Sequence, residues 1–403
     1  MFDENNEVRW IGTEASRRTK SAIAVTLSFV ILLGGMAVVG VKGYGAYMDW
    51  RQQDDYIGDG GTATQVIVRE GVGWGTVADS LVGLDVIRDP GLFEREALKL
   101  AAGPVPGTWN ILTHLPAKTA AKMMNDPDNK WIMKITMREG RRLSSLFETL
   151  IDDLDLNEDD VKRLGWTPEK IEAALAEIVA DPKSIGLSKW AEQDWTGPFR
   201  GNVEIEDATK LEGFLFPDTY FFTPPIDTGV KSILARFAEE FNDVTGPKDL
   251  DIAAKAQALG YSAREIIIIA SIIEAEVFIE ADRPKVARVI YNRLKEDMPL
   301  QMDSVVNYGL NRSGKANLEE GNQDTETPWG VYNFSGLPLT PINSPSRSAL
   351  MAAVNPAEGN WLYFVTINLD TGETLFADTY DEHVQQREIY RKWCRENPAS
   401  CPD

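Results

Sequence analysis

The sequence predicts an α+β protein: a single N-terminal transmembrane helix, then small α/β modules of strand, turn and helix, then a mainly helical domain with a few strands. Three observations carry that expectation. The run Ala22–Val41 is uncharged and, as a helix of about 30 Å, long enough to cross a hydrocarbon core. The tripeptide Arg-Glu-Gly occurs twice, each time between alternating apolar residues and a helical pattern. From about residue 245 apolar residues recur at helical spacing, with Ser262 and Glu265 placed to form a capping box.

Taken in order, Arg9, Arg17, Arg18 and Lys20 precede the apolar run, and Lys42 and Arg51 follow it. That bias puts residues 1–20 in the cytoplasm, the span at 21–42 and residues 43–403 outside. A cleaved signal peptide fits less well, because the run exceeds the usual apolar core of about 7–15 residues. Residues 43–62 read as a stalk ending in glycines. "VIVREGVGWGTVADSLV" (Val66–Val82) aligns with "ITMREGRRLSSLFETLI" (Ile135–Ile151), with the Arg-Glu-Gly in register. Val66/Val68 and Ile135/Met137 alternate as in strands. Val77, Ala78 and Leu81, and Leu143, Leu146, Phe147 and Leu150, follow at helical spacing. Two modules are expected, at 63–130 and 131–210, the second carrying an acidic helical insertion over about 152–205.

In that insertion the acidic run Asp152–Asp160 reads as a solvated face or helix cap. Thr167 can cap the helix Thr167–Val179, with Pro168 in its first turn. The aromatic stretch "LEGFLFPDTYFF" (Leu211–Phe222) opens a domain expected over 211–395 and reads as a packed corner of its core. The helix after Ser262 is apolar all round and should be buried at the centre. Asp282–Leu294 starts a second helix with Val286, Val289, Ile290 and Leu294 in one stripe. A proline-rich loop, a short helix near 346–353, a strand at Leu362–Thr366 and a tail from 396 complete the chain.

The 62 acidic and 41 basic residues give a net charge of −21. With no basic, aromatic-interleaved patch, nucleic acid is excluded as an expected partner. The chain's two histidines, His114 and His383, leave little for histidine metal sites or Ser-His-Asp triads. Its two cysteines, Cys394 and Cys401, lack metal-site spacing. They are either free thiols or a small tail-closing disulfide suited to an extracytoplasmic end.

The candidate chemistry lies in "EIIIIASIIEAEVF" (Glu265–Phe278). At about 100° per residue, Glu274 falls among Ile267, Ala270, Val277 and Phe278, and Glu276 lies roughly 200° away among Ile269, Ile272 and Ile273. Apolar walls penalise the charged form of a carboxyl, so one kept protonated near neutrality can act as a general acid on a glycosidic bond. The alternative is a buried glutamate paired with an arginine such as Arg288 or Arg293. Spacing does not choose between the two glutamates.

The stretch "ASIIEAE…RPKVARVIYNRLKEDMPLQMDSVVNYGL" (Ala270–Leu310) resembles the YceG-like family of membrane-anchored endolytic murein transglycosylases. So do "LEGFLFPDTYFF", "GLPLTPI" (Gly336–Ile342), "ALMAAVNPA" (Ala349–Ala357) and "LYFVT" (Leu362–Thr366), in the family's order. The Arg-Glu-Gly modules resemble its LysM-like region. The resemblance covers about 64–390, together with the membrane helix. It implies endolytic cleavage of peptidoglycan glycan strands outside the cytoplasmic membrane, without metal or organic cofactor. It places the catalytic acid at Glu274, which protonates the oxygen between N-acetylmuramic acid and N-acetylglucosamine. Glu274 then accepts the C6 hydroxyl proton as that oxygen attacks C1, leaving a 1,6-anhydro end. Gln301 and Asp303 are suited to sugar hydroxyls, and Tyr308, Tyr332 and Asn355 to stacking or hydrogen bonding. Glu276 would orient a neighbouring segment or pair with an arginine. His383 follows the strand pair as in the family and reads as a helix-surface residue. The chain departs from the family pattern at "QMDSV" (Gln301–Val305) and at "TPWGVY" (Thr327–Tyr332), where Gly330 replaces an asparagine.

The family role, limiting the length of nascent strands, implies penicillin-binding synthases as neighbours. Two other readings remain open. One is a non-catalytic wall-binding scaffold, which an arginine neutralising Glu274 would favour. The other is a muramidase-type hydrolase using Glu274 with Asp303 as the second carboxylate. The family has also carried the label aminodeoxychorismate lyase, a soluble pyridoxal-phosphate enzyme, which an external, membrane-anchored domain makes implausible.

Overall fold

A computed structural model describes Lys42 and residues 55–187, 207–224, 229–312 and 327–401. The expected membrane span, apart from Lys42, most of the stalk, and residues 188–206 of the acidic insertion lie outside the described residues. Among the described residues no single helix is long and apolar enough to cross a membrane. The chain divides into two compact units, Met1–Trp131 and Ile132–Asp403.

In the first unit, β1 (Ala63–Val68) leads through a turn at Gly71 (φ +77°) into α1 (Trp74–Gly83) and α2 (Pro90–Leu100). Asp89 caps α2 by accepting the Leu92 N–H at 2.9 Å, and Pro90 fits its first turn. β2 (Gly107–Leu112) then returns antiparallel to β1, with Val66 opposite Trp109. α3 (Ala117–Met123) follows, and β3 (Lys130–Trp131) adds to the far edge of β2. The alternation of β1 puts Val66 and Val68 inside and Ile67 outside. They close over Trp74, Val77, Leu81 and Phe93 from the two helices.

The second unit repeats the opening with more helix between the paired strands. β4 (Met133–Thr136) turns at Gly140 and enters α4 (Leu146–Asp153), α5 (Glu158–Leu164), α6 (Pro168–Ala180) and α7 (Asp207–Leu211) before β5 (Thr219–Phe222) pairs antiparallel to β4. Within the acidic run, Asn157 caps α5 by accepting from the N–H groups of Asp159 and Asp160. Thr167 does stand at the start of α6, but its hydroxyl makes no capping bond to the backbone, a correction to the expected cap. Pro168, with its fixed φ, still starts that helix.

The remaining helices are α8 (Val230–Thr245), α9 (Ile252–Leu259), α10 (Ala263–Glu276), α11 (Arg283–Lys295), α12 (Asp303–Gly309) and α13 (Arg347–Val354). A hairpin of β6 (Tyr363–Asn368) and β7 (Glu373–Ala377) and the helix α14 (Tyr380–Glu396) end the unit. One apolar core runs from Met133 to Val354, so the expected boundary at 210/211 falls inside a continuous core. The aromatic corner is part of it: Phe214, Leu215, Phe216, Tyr220 and Phe222 are all buried.

α10 is the axis of that core. Ser262 accepts the Glu265 N–H at 3.2 Å and Glu265 accepts the Ser262 N–H at 2.7 Å, completing the capping box. Every residue from Ala263 to Ile273 is buried except Glu265. α10 packs on α9, α11, α12 and α13. It ends at Glu276, where Val277 is extended, so Phe278 is not on the helix as expected and stands 89% exposed. At the chain end Cys394 and Cys401 form a disulfide, Cα atoms 5.5 Å apart.

Candidate active site

Two carboxylates leave the last turn of α10 on different sides. The side chain of Glu274 is 8% exposed and meets the start of α11 and the N-terminal end of α13. Its Oε1 accepts from Arg283 Nη2 at 2.9 Å, and its Oε2 accepts from the Ser346 N–H at 3.0 Å and from the Ser346 hydroxyl. Arg283 also donates to the hydroxyls of Ser346, at 2.6 Å, and Ser348. Ser346 in turn caps α13, accepting the Ala349 N–H at 3.2 Å. The surroundings of Glu274 are therefore not the apolar walls expected from helical spacing. Every partner is a donor, and the N-terminal end of a helix faces the carboxylate, an arrangement that complements an anion. Its arginine is Arg283 rather than Arg288 or Arg293.

The second Arg-Glu-Gly turn lies over the same carboxylate. Gly140 has φ +69°, and a Cβ on it would sit 3.7 Å from Glu274 Cγ. Its N–H donates to the Ser344 carbonyl at 2.9 Å, and the Ser344 N–H donates to the Arg141 carbonyl at 3.0 Å. The turn is thus fixed to the loop whose next residues hold Glu274. Burial pushes the Glu139 carboxyl up; repulsion from Glu274 and Glu280 adds to this and Arg283 opposes it.

Glu276 gathers a second group. Its Oε1 accepts from Ser304 Oγ at 2.5 Å, at the start of α12. Burial pushes its carboxyl up to about 7 against that hydrogen bond, and Asp303 adds repulsion. Asp303 Oδ1 accepts a hydrogen bond from the Tyr332 hydroxyl at 2.5 Å. Gln301, two residues before Asp303, has φ +52° and an exposed side chain 3.5 Å from Arg293 Nη1. Arg293 is buried and holds the neighbouring backbone, donating to the carbonyls of Leu300 and Leu362 at 2.6 Å each. The structure so brings together Glu276, Asp303, Tyr332 and Gln301.

It does not bring the other expected binding residues to either group. Asn355 lies past the end of α13, where its Nδ2 donates back to the Met351 carbonyl at 2.9 Å. Tyr308 is directed to Glu212, donating to Oε2 at 3.3 Å. His383 is half-buried rather than on the helix surface, stacked on Tyr363 with ring centroids 5.2 Å apart, and burial lowers its pKa.

Sequence reasoning missed Arg283, Glu139 and Glu212. Glu212 is 1% exposed, accepts the Leu143 N–H on both oxygens, and is pushed by burial up to about 8. The signal for Glu212 was a lone acid between Leu211 and Gly213 in an aromatic corner. Arg283 was the arginine nearest Glu274 along the chain, at the start of the next helix.

The profile of the YceG-like family matches residues 66–389. The endolytic murein transglycosylase of Bacillus subtilis strain 168 is 26% identical over 334 residues, 82% of this chain and 86% of that protein. The endolytic murein transglycosylase of Streptococcus pneumoniae serotype 2 is 31% identical over 178 residues, 43% of this chain and 31% of that protein. The crystal structure of a YceG-like protein from Listeria monocytogenes superposes with a TM-score of 0.48 at 23% identity, over 80% of this chain and 99% of that one. The chain belongs to the YceG-like family.

Proposed function

We propose that the protein is a membrane-anchored lytic transglycosylase that cuts peptidoglycan glycan strands internally, leaving 1,6-anhydro-muramyl ends. The observation that carries this is Glu274. It stands in the family's "SIIE" motif, sequestered from water, with both oxygens fixed by Arg283 and Ser346. A carboxylate held this way is oriented to take the proton of the C6 hydroxyl as O6 attacks C1. The nucleophile belongs to the sugar, so no second carboxylate is needed to activate water. In the family chemistry the same group first protonates the glycosidic oxygen. Relatives named endolytic murein transglycosylase support the reading.

Gln301, Asp303, Tyr332 and Glu276 form a polar group at the other side of the same helix end and are proposed to bind glycan hydroxyls. Tyr308 and Asn355 are bound elsewhere and are assigned no contact. The strand–helix–helix–strand order of the first unit supports a LysM-like, glycan-holding role. Ala22–Val41 with its flanking charges supports a single-pass anchor with the N-terminus in the cytoplasm. The Cys394–Cys401 disulfide suits an extracytoplasmic compartment. Penicillin-binding synthases at the membrane surface are the neighbours this role implies.

The Glu274–Arg283 pair also favours a second reading, a glycan-binding scaffold whose carboxylate is neutralised. The hydrolase reading is weaker, since Asp303 is bonded to Tyr332 and faces Glu276. Digestion of uncrosslinked glycan strands by the full-length protein in detergent, with mass spectrometry of the new ends, separates the three. Anhydro ends are expected. Reducing ends would mean hydrolysis, and intact strands that remain bound would mean the scaffold.

A further inference from the structure

We propose, on the reading that the protein acts on peptidoglycan strands, that the groove between the β6–β7 hairpin and α14 is a further glycan-binding site. It holds an uncharged N-acetylglucosamine residue of the strand, away from the cut.

The fold leaves this seam open for a physical reason. α14 packs on a hairpin of only two strands, and none of its residues is buried. Two strands are too narrow to cover a long amphipathic helix. The seam is a groove of about 450 Å³, a size that suits a small ligand. Its apolar wall is Trp361, Phe376 and Ile389, the last 47% exposed. Asp378, Glu382 and Gln385 line the polar side. Neighbouring bonds fix both walls. Gln386 donates to the Phe376 carbonyl at 3.0 Å, and Glu382 accepts the Asp378 and Thr379 N–H groups at 3.2 Å each. The Trp361 ring lies so close to Gly359 that a Cβ there would stand 2.5 Å from it. Asn292 of α11 donates to the Trp361 carbonyl at 2.9 Å.

The lining selects the sugar. An aromatic wall takes the apolar face of a pyranose ring, and carboxylate and amide oxygens accept from its hydroxyls and its acetamido N–H. None of the described residues lining the groove is Lys, Arg or His. Two carboxylates without a cation repel anions, so a muramyl residue with its stem-peptide carboxylates is disfavoured and the neutral amino sugar is preferred. α11 links the groove to the cut. Arg283 at its start holds Glu274 and Asn292 holds Trp361, about 14 Å further along the helix at 1.5 Å per residue. A strand of several sugars can lie on both, which suits cutting inside a chain rather than at its end.

The test uses full-length protein in detergent and uncrosslinked glycan strands, with and without stem peptides. Strand binding is measured by calorimetry in the Glu274→Gln background, and cutting in otherwise wild-type protein. Trp361→Ala and Gln385→Ala should each weaken binding and raise KM by about tenfold, with kcat within about twofold of wild type. Gln385→Ala, at an exposed position, covers misfolding of the tryptophan variant. Trp361→Phe, which keeps an aromatic wall, should restore most of the affinity. Wild-type affinity and KM in either alanine variant, a fall in kcat alone, or losses confined to strands that carry stem peptides would overturn the proposal. Full cutting by Glu274→Gln, or none by wild type, would instead overturn the functional reading on which it rests, and the binding measurements would still read the groove.

Discussion

Glu274 and Glu276 are two residues apart and chemically identical, yet the fold gives them different partners. Helical geometry separates them by roughly 200°, so one reaches Arg283 and Ser346 and the other Ser304 and the face of Asp303. For Glu274 the decisive contact is a buried ion pair, both side chains 10% exposed or less. Removing one partner of such a pair strands the other charge, so Arg283→Ala should lower unfolding stability by about 3–5 kcal/mol. The double variant Arg283→Met with Glu274→Gln should recover most of that loss in urea denaturation. Glu212 makes a prediction of opposite sense. Its carboxyl is raised from 4.5 to about 8, so the native state binds more protons than the unfolded state between those values. Stability should therefore fall as pH rises through about 5–8, by roughly 5 kcal/mol at full ionisation. Glu212→Gln should flatten that slope in denaturation series at pH 5, 7 and 9. A slope unchanged by the substitution would contradict the burial assigned to this carboxyl.

At the scale of elements, the features read correctly from sequence are those that depend on near neighbours. The capping box of Ser262 and Glu265, the apolar face of α11 and the alternation of β1 and β4 are set within a turn or a strand. The missed features are pairings between segments distant in sequence. Nothing local says that Ser346 would meet Glu274 across 72 residues, or that the turn at Gly140 would rest on α10. Helical spacing placed Glu274 among apolar residues because it counts only the helix's own side chains. The donors come from α11 and α13. The expected partners Arg288 and Arg293 instead bind backbone carbonyls of Ala357, Leu300 and Leu362. The duplicated turn supplies a test at this scale. Gly71→Ala and Gly140→Ala should each destabilise their own unit by about 1–2 kcal/mol, since both force a side chain into a left-handed conformation. Only Gly140→Ala should also slow glycan cutting, read in the same assay as the stability change.

For the whole molecule, the proposed anchor, a small first unit with a proposed glycan-holding role and a helical unit with its carboxylates at one helix end suit the proposed enzyme, acting on a polymer beside the membrane. The proposed anchor rests on the sequence alone, and it carries its own prediction. Leu32→Arg puts a charge near the middle of the span, at a cost of about 2.5–3.5 kcal/mol for insertion. The variant should move from the carbonate-washed membrane pellet towards the soluble fraction, while wild type stays in the pellet. The central claim is that Glu274, of the two adjacent glutamates, carries the cut. Its most direct test is the rate of new-end formation on uncrosslinked glycan strands by Glu274→Gln and Glu276→Gln, each checked for folding by thermal melting. Loss of cutting in Glu274→Gln with cutting retained in Glu276→Gln is the predicted result, and the reverse pattern would contradict the assignment.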